Sequence, residues 1–196
     1  MTTRRPALWM PEAEADAVRA AYRSARRIVE YGSGGSTLFA ATDSQAELLS
    51  IESDPAWLAR LADDVTAQAP GRAGITLRQV DIGPVGDWGK PEGPAAFRKF
   101  SDYPLSPWVD PVFEAPDLVL IDGRFRLGCF AATVLNATAP LTILWDDYAE
   151  RPGYHPAETL LTPSRRIGRM VEFKVTPRQL SLAEINRIIP WFVIPG

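Results

Sequence analysis

One six-residue stretch limits the possible folds more than any other. Asp117-Leu118-Val119-Leu120-Ile121-Asp122 is an unbroken apolar run closed at both ends by acids. Such a run is too short for a helix. It does not alternate, as a strand with one wet face would, so it reads as a strand buried on both faces. A strand covered on both faces belongs to a parallel sheet sandwiched between helices, because parallel strands need crossover connections that lie on the faces.

The rest of the chain repeats this theme. Residues 11–27 read as a helix, since Val18, Ala21, Tyr22 and Ala25 line up at helical spacing. Arg27 to Gly32 is a β-type run, followed by the glycine-rich stretch Gly32-Ser33-Gly34-Gly35-Ser36-Thr37 and a brief helix near Leu38 to Ala41. Leu48 to Glu52 is a second strand. Asp54 then has the character of an N-cap, with Pro55 at the first helical position of an amphipathic helix. Gly74 to Ile82 is a third strand, and Asp117 to Asp122 a fourth. A helix follows on Leu127, Phe130, Ala131, Val134 and Leu135. Leu141 to Trp145 is a fifth strand, residues 154–167 are read as a helix, and Met170 to Val175 as a further strand. The fold expected is an α/β, Rossmann-like doubly wound sheet of about seven strands, mostly parallel, in one domain spanning 1–196.

One segment does not fit this alternation. Residues 84–116 hold seven of the 18 prolines, with Trp88, Phe97, Phe100, Tyr103, Trp108 and Phe113. The prolines argue against regular helix or central strand there, and the aromatics argue against a loose linker. The segment is expected to be an inserted lid on the acceptor side of a site.

Composition excludes several classes. Lys and Arg total 21 against 24 Asp and Glu, a formal charge of −3, so bulk electrostatic binding of nucleic acid is not expected. The cluster Arg165, Arg166 and Arg169 reads as a solvated helix end. A single cysteine, Cys129, and a single histidine, His155, exclude a disulfide framework and any multi-Cys or multi-His zinc site. Cys129 suits a core position. No apolar run reaches the ~18 residues of a membrane span, and no signal-type segment is seen, so a cytoplasmic location with no membrane partner is expected. The oligomeric state stays open.

In such sheets ligands bind beyond the carboxyl ends of the strands. Every one of the first five expected strands delivers an acid there: Glu30, Glu52, Asp81, Asp122, and the pair Asp146-Asp147. The glycines allow close backbone approach to a ligand. A dinucleotide fingerprint would place its third glycine where Thr37 stands, and Glu30 before the loop disfavours a pyrophosphate. Glu52 is spaced to accept from ribose hydroxyls. A ligand with a ribose and a positive charge but no phosphate satisfies both acids, as S-adenosylmethionine does.

Glu30-Tyr31-Gly32-Ser33-Gly34-Gly35-Ser36 resembles motif I of the class I S-adenosylmethionine-dependent methyltransferases, with Ser36 where that family often has a third glycine. The resemblance spans about residues 28–148. It implies that Gly32, Ser33 and Gly34 approach the donor and that Glu30 serves its amino-acid portion. Glu52 would bind the ribose, Asp81 and Ile82 would line the adenine, and Asp122 would lie near donor and acceptor. Ile121-Asp122-Gly123 with Trp145-Asp146-Asp147-Tyr148 is also similar to the metal-dependent O-methyltransferases of the catechol and macrolide-sugar types. That likeness implies Asp122, Asp146 and Asp147 as ligands of a divalent cation such as Mg²⁺. The alternative is that these acids pair with Arg124, Arg126 or Arg151.

Asp122 and His155 are the candidate catalytic residues, His155 as a general base. Arg124 and Arg126 could anchor an anionic acceptor or satisfy carboxylates, and Trp88 could stack on adenine or simply pack the loop. The expected activity is methyl transfer to a small-molecule acceptor, most readily at oxygen. Two other classes share these features: a non-catalytic S-adenosylmethionine-binding domain and an NAD-dependent oxidoreductase.

Overall fold

The computed structural model describes residues 8–196. Its strands are β1 (Arg27–Tyr31), β2 (Glu47–Glu52), β3 (Ile75–Gln79), β4 (Leu118–Ile121), β5 (Leu141–Trp145), β6 (Arg165–Ile167) and β7 (Met170–Val175). The helices are α1 (Glu12–Ser24), α2 (Gly35–Asp43), α3 (Pro55–Gln68), α4 (Asp102–Val109), α5 (Arg126–Asn136) and α6 (Leu182–Ile188). The strands form one mixed seven-stranded sheet in the order β3-β2-β1-β4-β5-β7-β6. β1 to β5 run parallel, and β7 returns antiparallel beside β5, with Trp145 opposite Val171. β6 and β7 form a hairpin in which Ile167 pairs with Met170. The chain moves outward from β1 to β3, then crosses back to β4, so the order reverses between β1 and β4. Loops leaving the two strands there diverge and open a crevice.

The period of two along each strand sorts side chains onto two cores. Val29, Tyr31, Val119, Ile121, Ile143 and Trp145 face one layer, which includes α5 and the 84–116 segment. Ile28, Leu48, Leu118, Leu120 and Leu144 face the other, where Val18 and Tyr22 of α1 and Phe39 of α2 pack. By the same parity Glu30 points into the α1/α2 layer, a placement that decides its role below. Cys129 is fully buried in α5, as expected of a core thiol.

Three expectations are corrected. The 84–116 segment contains a helix, α4, despite Pro104 and Pro107. Pro104 lies in the first turn, where no N–H is needed. Pro107 deprives the Tyr103 carbonyl of its helical donor, and the Ser106 hydroxyl approaches that carbonyl at 3.4 Å instead. Residues 154–167 are not one helix: a 3₁₀ stretch, Pro152–Thr159, gives way to β6. The Arg165–Arg169 cluster therefore lies on a hairpin rather than a helix end. β3 stops at Gln79, so Asp81 lies past the strand rather than at its tip. Asp54 caps α3 as expected, accepting from the amides of Ala56 and Trp57. The tail, which shows no clear period, forms α6 through a capping box between Ser181 and Glu184. No helix among the described residues is long and apolar enough to cross a membrane.

Candidate active site

The crevice at the reversal point is a cleft of about 1140 Å³, lined by Gly32, Ser33, Gly34, Glu52, Tyr103 and Asp122 among others. This exceeds the ~300–1,000 Å³ of ordinary small-ligand pockets, so donor and acceptor can share it.

The loop after β1 forms its floor. Gly32 has φ +98°, and a Cβ there would lie 2.6 Å from the Gly123 nitrogen. Two constraints thus demand glycine: a left-handed backbone, and contact between the β1 and β4 loops. The Gly32 amide donates to the Ile51 carbonyl at 2.9 Å, tying the loop to β2. Gly34 precedes α2, and its amide donates to Thr37 Oγ1 at 2.8 Å. The residue that replaces the dinucleotide glycine therefore holds the loop.

Glu30 does not reach the cleft. Its side chain is wholly buried and accepts four hydroxyls: Tyr22 at 2.8 Å and Ser36 at 2.5 Å on Oε1, Thr37 at 2.5 Å and Ser50 at 2.5 Å on Oε2. Burial raises its pKa, and the four hydroxyls oppose that rise. Ser33 Oγ lies 2.6 Å from Ser50 Oγ, extending the network to the cleft floor. Glu30 thus anchors the loop from beneath, and the expected role with the donor's amino-acid portion is not supported by its position.

Glu52 ends β2 and lines the cleft. Oε1 is engaged by the Ser53 amide at 2.6 Å, the Asp54 amide at 3.0 Å and the Ser53 hydroxyl at 3.1 Å. Oε2 receives only the long Ser33 amide contact at 3.3 Å, so it retains acceptor capacity. Trp57, one turn into α3, donates from Nε1 to the Ser33 carbonyl at 2.8 Å and lines the same wall.

Asp122, Asp146 and Asp147 do come together: one oxygen of each lies within 4.8 Å of the others. Three guanidinium groups are interleaved with them. Arg126 approaches Asp122 at 3.0 Å and Asp147 at 3.7 Å. Arg169 approaches Asp146 at 2.6 Å and Asp147 at 3.1 Å, and Arg151 approaches Asp147 at 2.7 Å. Arg126 also donates to the carbonyls of Gly123, Asp122 and Asp146 at 2.9, 2.7 and 2.7 Å. Asp146 has no exposed surface, and Asp147 holds a left-handed φ of 57° that turns it toward these arginines. A hard divalent cation requires the carboxylate oxygens that the arginines occupy. This donor set fits an internally neutral ion cluster and does not fit Mg²⁺.

Within that cluster only Asp122 lines the cleft, with about 32% of its side chain accessible. Desolvation raises its pKa to about 6, Arg126 opposes the rise, and Asp146 and Asp147 add to it.

Three expected site residues lie elsewhere. Asp81 is exposed and salt-bridged to Lys99 at 2.5 Å, and Ile82 is fully buried in the core; neither lines the cleft. His155 is exposed on the 3₁₀ stretch against the Tyr148 ring, also outside the cleft. Of the proline-rich segment only residues 85–89 and Tyr103 reach the cleft, while Phe100 and Tyr103 pack into the core. It is a packed layer with an overhanging edge rather than a free lid. Trp88 on that edge has φ +61° and meets Trp9 edge-on, with ring centroids 6.0 Å apart. Trp9, Trp57 and Tyr103 were not signalled as site residues by the sequence. Trp57 had a usable signal, since the Asp54-Pro55 helix start places it in the first turn of α3, directly after the strand-end acid Glu52.

No protein-family profile matches the chain, and no curated protein sequence is detectably similar to it. Solved structures are similar. A methyltransferase-like protein from Silicibacter pomeroyi is 43% identical, covers 97% of this chain and 99% of its own, and superposes with a TM-score of 0.89. An O-methyltransferase described as S-adenosylmethionine-dependent, from Thermotoga maritima, is 10% identical over 92% of this chain and 70% of its own, with a TM-score of 0.53. An RNA methyltransferase from Salinibacter ruber, in complex with S-adenosylhomocysteine, is 13% identical over 89% and 97%, with a TM-score of 0.51. The last two show the fold alone. The identity across nearly the whole chain shows that the chain belongs with the methyltransferase-like proteins, and its sheet has the class I methyltransferase fold.

Proposed function

We propose that this protein transfers a methyl group from S-adenosylmethionine to an oxygen of a small-molecule acceptor, without a metal ion. The observation that carries the donor half is Glu52: it lines the cleft beside the Gly32–Gly34 loop, and its Oε2 accepts only the long Ser33 amide contact. A ribose diol supplies the two donors that such an oxygen takes. The bound donor would supply an electrophilic methyl on a sulfonium. The chain's own residues bind, orient and manage the proton. Gly32 and Gly34 let the backbone close on the ligand, and Trp57 and Tyr103 wall the cleft.

Asp122 is the proposed base. With a pKa of about 6 it is mostly ionised at neutral pH and sits at the cleft floor. The acceptor hydroxyl gives its proton to the Asp122 carboxylate as its oxygen bonds to the methyl carbon. The S–CH₃ bond breaks, and its electron pair stays on sulfur, leaving the neutral thioether product. Arg126, paired with both Asp122 and Asp147, holds Asp122 in place.

Calorimetric titration with S-adenosylhomocysteine tests the donor half. Wild type should bind, and Glu52→Ala should bind about 100-fold more weakly, the loss of two hydrogen bonds to a charged acceptor. EDTA should change neither binding nor turnover. Absence of S-adenosylhomocysteine binding, or binding of NADH instead, would overturn the reading. A requirement for Mg²⁺ would overturn its metal-free part.

A further inference from the structure

Arg124 stands out among the arginines. Arg126, Arg151 and Arg169 each pair with a carboxylate of the Asp122 cluster. Arg124, two residues after Asp122, lines the cleft and is partly withdrawn from solvent. Among the described residues it is the only arginine that is not exposed and has neither a side-chain hydrogen bond nor an ion pair. Its backbone is held: its carbonyl accepts from Cys129 Sγ at 3.3 Å, and Phe125, the next residue, is buried against Phe100 and Tyr103.

A partly withdrawn guanidinium with no protein partner loses some hydration without a compensating charge, and because it lines the cleft with no nitrogen sealed off from solvent it stays open to a ligand. Desolvation and the neighbouring Arg126 charge both depress its pKa, so this cation is under stress from two directions. The nearby acid, Asp122, is already engaged by Arg126. An anion entering the cleft would relieve both costs, and a guanidinium fork fits the paired oxygens of an oxyacid.

Resting on the methyltransferase reading above, we infer that Arg124 binds the oxyanion group of an anionic acceptor, a carboxylate or phosphate ester, and presents that acceptor's hydroxyl to Asp122. Two residues of one loop would then divide the work: Arg124 holds the charged end and Asp122 takes the proton. A neutral acceptor would leave Arg124 unpaired, so the site discriminates by charge.

The test uses matched probes on the protein saturated with S-adenosylhomocysteine. Benzoate, phenyl phosphate and benzamide share a ring and differ in charge, and NMR titration gives their dissociation constants. The anions should bind about tenfold or more tighter than benzamide, and added salt should narrow the gap. Arg124→Gln should erase the preference, and Arg124→Lys should restore part of it. The ratio of benzoate to phenyl phosphate affinity tells a carboxylate site from a phosphate site. S-adenosylhomocysteine affinity should stay within about twofold in both variants, because Arg124 is assigned to the acceptor. Equal affinity for anions and amide, or a preference that survives Arg124→Gln, would overturn the inference while leaving donor binding intact. Failure of S-adenosylhomocysteine to bind wild type would instead overturn the underlying reading, and this inference with it.

Discussion

Removing the Glu30 carboxylate separates two accounts of the motif I acid. If Glu30 anchors the loop, Glu30→Ala damages folding first and ligand binding second. Four hydroxyls lose their acceptor, namely Tyr22, Ser36, Thr37 and Ser50. Hydrogen bonds to a charged group contribute roughly 1.5–3 kcal/mol each, so the gross loss is about 6–12 kcal/mol. Relief of the buried charge returns several kcal/mol. Ser50 and Ser33 also remain 2.6 Å apart and can keep bonding each other. The net cost expected is about 3–5 kcal/mol. In a chain of this size Tm moves about 2–4 °C per kcal/mol, so Glu30→Ala should melt about 6–20 °C lower. Glu30→Gln keeps the volume and one acceptor oxygen, and should lose about half as much. Circular-dichroism melts and urea titrations read the stability, and S-adenosylhomocysteine calorimetry reads the site. If Glu30→Ala melts within about 2 °C of wild type yet loses tenfold or more in ligand affinity, Glu30 contacts the ligand and the anchoring account is wrong.

Other expectations follow from the same geometry. Gly32→Ala forces a Cβ onto a φ of +98° and to 2.6 Å from the Gly123 backbone; urea denaturation should show a loss of about 2–4 kcal/mol with weaker S-adenosylhomocysteine binding, and retention of both would mean that the loop can shift. Turnover should fall as pH drops through about 6, because Asp122 is a base only when ionised. Arg126 is the cation that holds that pKa down, so Arg126→Met should move this acid limb to higher pH; an unmoved limb would exclude Asp122 as its source. His155→Ala should leave the pH profile of kcat/KM within about twofold of wild type, since His155 lies outside the cleft; a tenfold loss would return it to the mechanism.

The sheet was legible in the sequence wherever hydrophobic pattern decides structure. The run Leu118 to Ile121 had to be a doubly covered strand, and Asp54-Pro55 had to start a helix, because burial and capping act within a few residues. Glu52 and Asp122 were found as strand-end acids for the same reason. Other placements depended on strand parity and chain path. Glu30 stands one residue before Tyr31, but alternation turns it under the loop to meet Tyr22 and Ser50. Asp81 lies outside the cleft, past the end of β3, which stops at Gln79, three residues short of the Ile82 end that its hydrophobic pattern suggests. Pairing of β4 with β5 set Asp122 beside Asp146 and Asp147, and the charge of that cluster was balanced by Arg126, Arg151 and Arg169, the last brought beside Asp146 by the antiparallel return of β7. Short-range forces wrote the strands, caps and glycine loop into the sequence. Which acids meet ligand, which meet hydroxyls and which meet arginines was settled only by tertiary structure, because electrostatic partners are chosen by distance in space and burial, not by separation along the chain.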